Sequence, residues 1–327
     1  MRILIVLFLI AAVAAGIFGA ARWEEQNFTA PGPAQAETVV VIEPGSSLRA
    51  IATRLADAGV VKEAMFYRIG VMRRGTGSAL QAGEYAFPAH VSMTDATDML
   101  VQGKVLEHHV TIAEGLTSKA AVAVVNAEPA LAGDAVAAPP EGSLLPETYV
   151  FRRGTTRTEI IARMRKSQET LLAELWPKRK AGLPLQSPAE ALKLASIVEK
   201  ETGLAAERPR IAAIFINRLQ RGMRLESDPT IIYGLTGGAP LGHSLRQSEL
   251  AQANPFSTYQ IAGLPPTPIC NPGRDAIAAV LNPPMTDELF FVADGSGGHA
   301  FAKTAAEHGR NVARLRILER QQVPNTR

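Results

Sequence analysis

The chain has one cysteine in 327 residues, Cys270, so no internal disulfide can form and a disulfide-stapled scaffold is excluded. Its formal charge is only +3, and the basic runs Arg152-Arg153 and Lys178-Arg179-Lys180 are too short to make a nucleic-acid stripe. Nucleic acid is therefore not expected as a partner. His108-His109, His243 and His299 are scattered without zinc-ligand spacing, so no metal and no other cofactor is expected. Apart from one run at the N-terminus there is no second long apolar stretch. What remains is ordinary globular material, 46% apolar and 20% charged, and enough of it for two or three core-bearing units.

The one long apolar run is Ile3 to Ala21, preceded by Arg2 and followed by Arg22-Trp23-Glu24-Glu25. Its length suits a bilayer core, so residues 1–22 read as a single membrane anchor. A cleaved signal peptide is the rival, since Gly19, Ala20 and Ala21 suit a peptidase. Both send the remainder across the membrane. Residues 23–37, rich in alanine and proline, read as a linker.

The overall pattern is α+β. Residues 38–104 form a small module: a strand at Thr38 to Ile42, a helix at Ser47 to Ala58 through Leu48, Ile51, Ala52 and Leu55, a helix at Lys62 to Arg74, a strand at Gly83 to Phe87, and a helix at Met93 to Gln102 ended by Gly103. This β-α-α-β order suggests a LysM-like carbohydrate-binding unit or, equally, a structural spacer. Residues 105–327 read as a mainly helical domain with a short β element. A strand covers Val105 to Glu114, and Ala120 to Pro140 carries little signal. Helices are expected at Arg157 to Leu175, Pro188 to Gly203, Pro209 to Gln220 and Thr304 to Arg320. Met223 to Tyr233 and Asn254 to Gly273 read as loops, and Leu289 to Ala293 with His299 to Ala302 as two strands.

The most informative stretch is Ser187 to Gly203. Ser187 suits an N-cap, Pro188 the first helical position, Glu190 the far side of a capping box, and Gly203 a left-handed exit. Leu194, Ile197, Val198 and Glu201 follow the i, i+3, i+4, i+7 spacing of one helix face. The stripe that should be buried thus ends in an acid. Burial and the negative end of the helix dipole both disfavour its ionised form, so Glu201 is expected to keep a proton near neutral pH, as a general acid requires. The plainer reading is an acid whose stem packs while its head meets an arginine. Glu199, about 160° around the helix, is expected to face solvent or pair with a cation.

Leu194-Ala195-Ser196-Ile197-Val198-Glu199-Lys200-Glu201-Thr202, Phe215-Ile216-Asn217-Arg218-Leu219, Gly222-Met223-Arg224-Leu225 and Ser227-Asp228-Pro229-Thr230 resemble the MltG (YceG-like) family of endolytic murein transglycosylases. Tyr259, Gly263-Leu264-Pro265-Pro266, Asn271-Pro272-Gly273 and Phe291-Val292-Ala293-Asp294-Gly295 with Gly298-His299 extend the resemblance over nearly the whole chain. It implies that Glu201 is catalytic, first protonating the glycosidic oxygen between N-acetylmuramic acid and N-acetylglucosamine, then accepting the C6 hydroxyl proton as a 1,6-anhydro ring closes. Asn217, Asp228, Tyr233, Tyr259 and His299 are the candidates to bind substrate. Each has a structural alternative: a helix contact for Asn217, a turn at Asp228-Pro229, core packing for the tyrosines, and a glycine-turn position for His299. The chain departs from the family pattern at Thr267, where glycine is usual, and at Ser257, where asparagine is common. Cys270, in the same loop, is expected to pack. The resemblance further implies peptidoglycan glycan strands as substrate, the cell-wall synthesis machinery, such as penicillin-binding proteins, as partner, and a single-pass protein of the inner membrane with its catalytic region in the periplasm. The alternatives are a non-catalytic, membrane-anchored peptidoglycan-binding scaffold and a metal-dependent hydrolase.

Overall fold

The computed structural model describes residues 2–322 and divides into two compact units, one formed by residues 1–108 with 150–155, the other by 109–149 and the chain from 156 onward. The expected boundary lay at 104/105.

The first unit begins with helix α1 (Arg2–Thr29), which runs unbroken from the apolar run through its charged flank. Strand β1 (Thr38–Ile42), helices α2 (Leu48–Asp57) and α3 (Ala64–Arg73), and strand β2 (Gly83–Phe87) follow in the expected order. The two strands pair antiparallel, Thr38 opposite Phe87 and Ile42 opposite Gly83. Ser47 caps α2 by accepting from the Ala50 N–H at 3.2 Å. Ser92 does the same for α4 (Met93–Gln102), and Gly103 ends that helix at φ 62°, a left-handed conformation that glycine adopts without a side-chain clash. Val40, Ile42, Leu55, Tyr67, Val71, Tyr85, Phe87 and Leu100 make the core.

The linker expected at 23–37 is instead built into this unit. Phe28 lies fully in its core, where Gly70 leaves the space for the ring: a Cβ there would stand 2.2 Å from a Phe28 ring carbon. Beyond the helix, the Gly32 N–H donates to the His90 carbonyl at 3.1 Å and the His90 N–H donates back to the Ala34 carbonyl at 2.7 Å. An alanine- and proline-rich composition does not make a tether when the Phe28 side chain has a core to enter and the backbone has partners.

The second unit is mainly helical. Residues 109–111 of strand β3 (Glu107–Thr111) and 148–149 of strand β4 (Thr148–Arg152) fall in it. The alanine-rich stretch contains a helix, α5 (Ser118–Ala127), capped by Thr117. Helix α6 (Arg157–Leu175) has the capping box Thr156/Glu159. Helices α7 (Pro188–Glu201), α8 (Arg208–Gln220) and α11 (Arg274–Leu281) pack their apolar faces together through Leu194, Ile197, Val198, Ile211, Phe215, Ile277 and Val280. Between α8 and α11 the chain forms α9 (Asp228–Thr236) and the short α10 (Gln247–Ala251). The hairpin β5 (Phe290–Ala293) with β6 (His299–Ala302) sets Phe291 edge-on against Phe215 at 5.7 Å, and α12 (Ala305–Gln322) follows.

Two expectations about α7 are corrected. Ser187 caps it as expected, but the Glu190 carboxylate accepts from the Gln186 N–H at 2.6 Å, one residue before the cap, so the box does not close. Gly203 is not left-handed. Thr202 leaves the helix in an extended conformation, and its hydroxyl accepts from the Leu204 N–H at 3.0 Å, turning the chain without a positive φ.

Candidate active site

Four side chains of one helix stripe were expected together, and α7 places them so: Leu194, Ile197 and Val198 are fully buried, and Glu201, in the last turn, emerges half-buried at the wall of a cavity of about 500 Å³. Arg218, Glu226, Asp228, Tyr259, His299 and His308 line the same cavity, together with the apolar edge of β5.

Ser227 fixes the acid. Its hydroxyl donates to Glu201 Oε1. Ser227 stands in the N-cap position of α9, yet makes no cap bond there. Its own N–H donates to Thr258 Oγ1 at 2.9 Å, and Thr230 Oγ1 donates to its carbonyl at 2.6 Å, so the residue is locked from both sides. A serine that would ordinarily satisfy a helix start is turned into the cavity instead.

The same diversion occurs at α8. Glu207 holds the N-cap position without capping. One carboxylate oxygen accepts from the His299 N–H at 2.9 Å, and the other lies 2.6 Å from His299 Nδ1. Burial works against ionisation of Glu207, but these bonds outweigh it and hold the carboxyl below its ordinary range. The pairing gives His299 a fixed ring orientation, with Nδ1 as the donor and Nε2 left as the second ring nitrogen.

Burial pushes the Glu201 carboxyl up to about 7; the Ser227 hydrogen bond pulls the other way, Asp228 adds repulsion, and His299 and Arg218 offset part of it. The expected direction is therefore present, with its cause named. Tyr259 donates to Asp228 Oδ1 at 2.8 Å, and burial followed by that carboxylate raises its phenol. Arg218 is held by the carbonyls of Leu289, at 2.7 Å, and Leu225, at 2.9 Å, and by Glu226 at 3.1 Å. His308 stacks on Phe290 at 5.3 Å. Its buried Nδ1 makes no hydrogen bond, and burial, with Arg218 nearby, depresses its pKa.

Of the residues singled out in the sequence, Glu201, Asp228, Tyr259 and His299 share this cavity. Asn217 does not. It points from α8 to the segment before β5, donating to the carbonyls of Thr286 at 2.7 Å and Glu288 at 3.0 Å, and lines a different cleft. Tyr233 is also elsewhere, a turn and a half along α9 from Asp228; its hydroxyl donates to Glu141 at 3.2 Å and its ring packs on Phe256 at 4.9 Å. Both are pinned to structural partners. Glu199 pairs as one alternative had it but does not face solvent: it is buried, 2.9 Å from Arg208, and accepts from the Gly273 N–H at 2.9 Å. Cys270 is buried and donates to the Ser196 carbonyl at 3.3 Å; burial raises its thiol pKa, which suits packing rather than attack. Thr267 is exposed, and Ser257 is buried with its hydroxyl unpaired. Among the described residues no group of His, Cys, Asp or Glu has the arrangement of a metal site.

The sequence reading missed Ser227, Glu207 and His308 as site residues. For the first two a signal was present: each immediately precedes a helix with proline in its first turn, where a polar side chain is an N-cap or has been recruited for something else.

The YceG-like family model matches residues 40–314. An endolytic murein transglycosylase of Bacillus subtilis is 29% identical over 300 residues, covering 82% of this chain and 82% of that protein. One from Streptococcus pneumoniae serotype 2 is 30% identical over 322 residues, covering 84% of this chain but 57% of that protein, so the chain spans little more than half its length. A crystal structure of a putative YceG-like protein from Listeria monocytogenes is similar at 27% identity and a TM-score of 0.53, over 84% of this chain and 98% of that one. With its motifs, its fold and a family model spanning most of its length in agreement, the chain belongs to the YceG-like family.

Proposed function

We propose that the protein is a peptidoglycan lytic transglycosylase, a lyase that cuts glycan strands internally at the β-1,4 bond between N-acetylmuramic acid and N-acetylglucosamine. The observation that carries the reading is Glu201: one carboxyl, held by Ser227 in a polar cavity, with its pKa pushed up to about 7. At neutral pH such a group is present in both forms, so one side chain can give a proton and then take one. The relatives named endolytic murein transglycosylase support the same chemistry.

In the first step Glu201 protonates the glycosidic oxygen as the bond from muramic C1 breaks. The developing oxocarbenium charge faces Asp228, whose position is set by the Tyr259 hydroxyl. In the second, the Glu201 carboxylate takes the proton from the C6 hydroxyl of the same sugar, whose oxygen bonds to C1 and closes the 1,6-anhydro ring. Water is not consumed. His299, oriented by Glu207, presents Nε2 to a sugar hydroxyl, and Arg218 lines the same cavity. No cofactor enters these steps.

On this reading the β-α-α-β unit is a LysM-like module that holds glycan, α1 is a retained single-pass anchor in the inner membrane, and the catalytic unit lies in the periplasm. There it would end the growth of nascent strands beside penicillin-binding synthases. Helix α1 contains a stretch, Leu7–Thr29, long and apolar enough to cross a bilayer.

The test is mass spectrometry of uncrosslinked glycan strands incubated with the full chain in detergent, wild type beside Glu201→Gln. New 1,6-anhydro-muramic ends that vanish in the variant support the proposal. Reducing ends would mean hydrolysis, with Asp228 as the second carboxylate. Strands left intact by both proteins would favour a non-catalytic, membrane-anchored scaffold.

A further inference from the structure

Helix α3 is apolar on two sides. Tyr67, Gly70 and Val71 face the core of the first unit, while Met65, Phe66, Ile69 and Met72 lie outside it, Met65 at 63% and Met72 at 65% exposure. Spaced i, i+1, i+4 and i+7, these four form one stripe. Single exposed apolar residues are ordinary on a protein surface, but a contiguous stripe marks a contact.

Helix α1 indicates what covers it. Trp23 packs edge-on against Phe66 at 5.6 Å, Glu24 pairs with Arg73, and Glu25 lies 2.6 Å from Arg74. Phe66 and Arg73 are about 10 Å apart along α3, yet they meet consecutive residues of α1. The end of the apolar run is thus clasped along the length of α3, which holds α3 beside the point where α1 would leave a bilayer. The side is also determined. Measured around α3 from Met65, α1 meets Phe66 at about 100° and, five residues later, Phe28 meets Gly70 at about 140°, approaching buried Tyr67 at about 200°. Traced backwards, the apolar run of α1 leaves on the side of the exposed stripe.

Composition agrees. From Ala64 to Gly77 there is no acidic residue, while Arg68, Arg73 and Arg74 are present, with Lys62 and Glu63 just before and Arg22, Glu24 and Glu25 on α1. Trp23, half exposed at the end of the apolar run, is the residue type that favours the headgroup level. Arg73 and Arg74 are engaged by Glu24 and Glu25, so the cations offered to anionic headgroups are Arg22, Lys62 and Arg68.

We propose that α3 lies in the headgroup and upper acyl layer of the membrane that α1 spans, with Met65, Phe66, Ile69 and Met72 immersed, so that the first unit is seated on the bilayer. The proposal rests on the reading of α1 as a retained span. Its test uses the full chain in vesicles of phosphatidylethanolamine and phosphatidylglycerol, with a bimane probe on Ile69→Cys, Met72→Cys or, within α1, Val13→Cys; Cys270 is buried and stays unlabelled under native conditions. Acyl-brominated lipid in place of ordinary lipid should lower emission at 69 and 72 by twofold or more, as at 13. Quenching at 13 with none at 69 and 72 overturns the proposal and leaves the anchor standing. No quenching at any of the three overturns the anchor and this inference together. Emission at 69 and 72 that changes with protein density and not with bromination assigns the stripe to a second copy of the chain and also overturns it.

Discussion

The hydroxyl of Ser227 donates to one carboxylate oxygen of Glu201, from the N-cap position of a helix that it does not cap. That bond favours the ionised acid, whereas the neighbouring charge of Asp228 favours the protonated one. The two residues adjust one titration in opposite senses.

Their variants should separate. Ser227→Ala removes a bond that lowers the Glu201 pKa, so the alkaline fall in kcat/KM should move to higher pH. Asp228→Asn removes repulsion, so the same limb should move to lower pH. A pH–rate profile of both against wild type checks this; shifts of the same sign would refute the assignment.

Glu201→Gln should reduce glycan cleavage by roughly 10³-fold, the range of general acid–base catalysis. It should also stabilise the fold at alkaline pH. The folded pKa, about 7, lies above the ordinary 4.5. Its cost is thus absent below about pH 4.5, grows as pH rises through that window, and is complete above 7, at about 3 kcal/mol. Denaturant unfolding at pH 4 and pH 8 should show the variant close to wild type at the first and more stable at the second.

Glu199→Gln should behave differently, although the two acids are two residues apart. Glu199 ties the end of α7 to Arg208 and to the start of α11. Losing one member of a buried pair should cost roughly 3 kcal/mol, while the pH at which activity falls stays where it is. Comparing the midpoint of unfolding with the pH profile distinguishes a strut from a catalyst.

In the first unit, Gly70→Ala would drive a methyl group into the Phe28 ring. Overpacking of this kind costs about 1–3 kcal/mol. Thermal unfolding should register the loss, and cleavage of soluble strands at a permissive temperature should not. For the same reason a soluble fragment beginning near residue 30 lacks a core side chain and should be less stable than one beginning near residue 22.

What could be read from the sequence was mostly periodic. The stripe ending in Glu201 needed only the helix repeat, and its environment follows from three buried aliphatic neighbours. β1, β2 and the helices of the first unit followed from alternation, caps and Gly103 in the same way. The loop assignment at Met223 to Tyr233 failed because Asp228-Pro229 serves turns and helix starts alike, and here it opens α9. Tyr233 and Asn217 were candidates to bind substrate through the family resemblance, and their structural alternatives hold instead. Which helix face turns toward Glu201 depends on packing that no local pattern encodes. Glu207 was hidden for a related reason: its partner, His299, is 92 residues away.

Because α1 continues as helix from the apolar run to Phe28, the first unit is mounted on a screw thread and not on a cord. Each residue inserted between Ala21 and Trp23 would raise the unit by about 1.5 Å and swing it by about 100°. Insertions of seven, close to two full turns, would change its height with little change of bearing, whereas insertions of two would turn it nearly half-way round. Length along this helix is therefore a setting of azimuth as much as of distance from the apolar run.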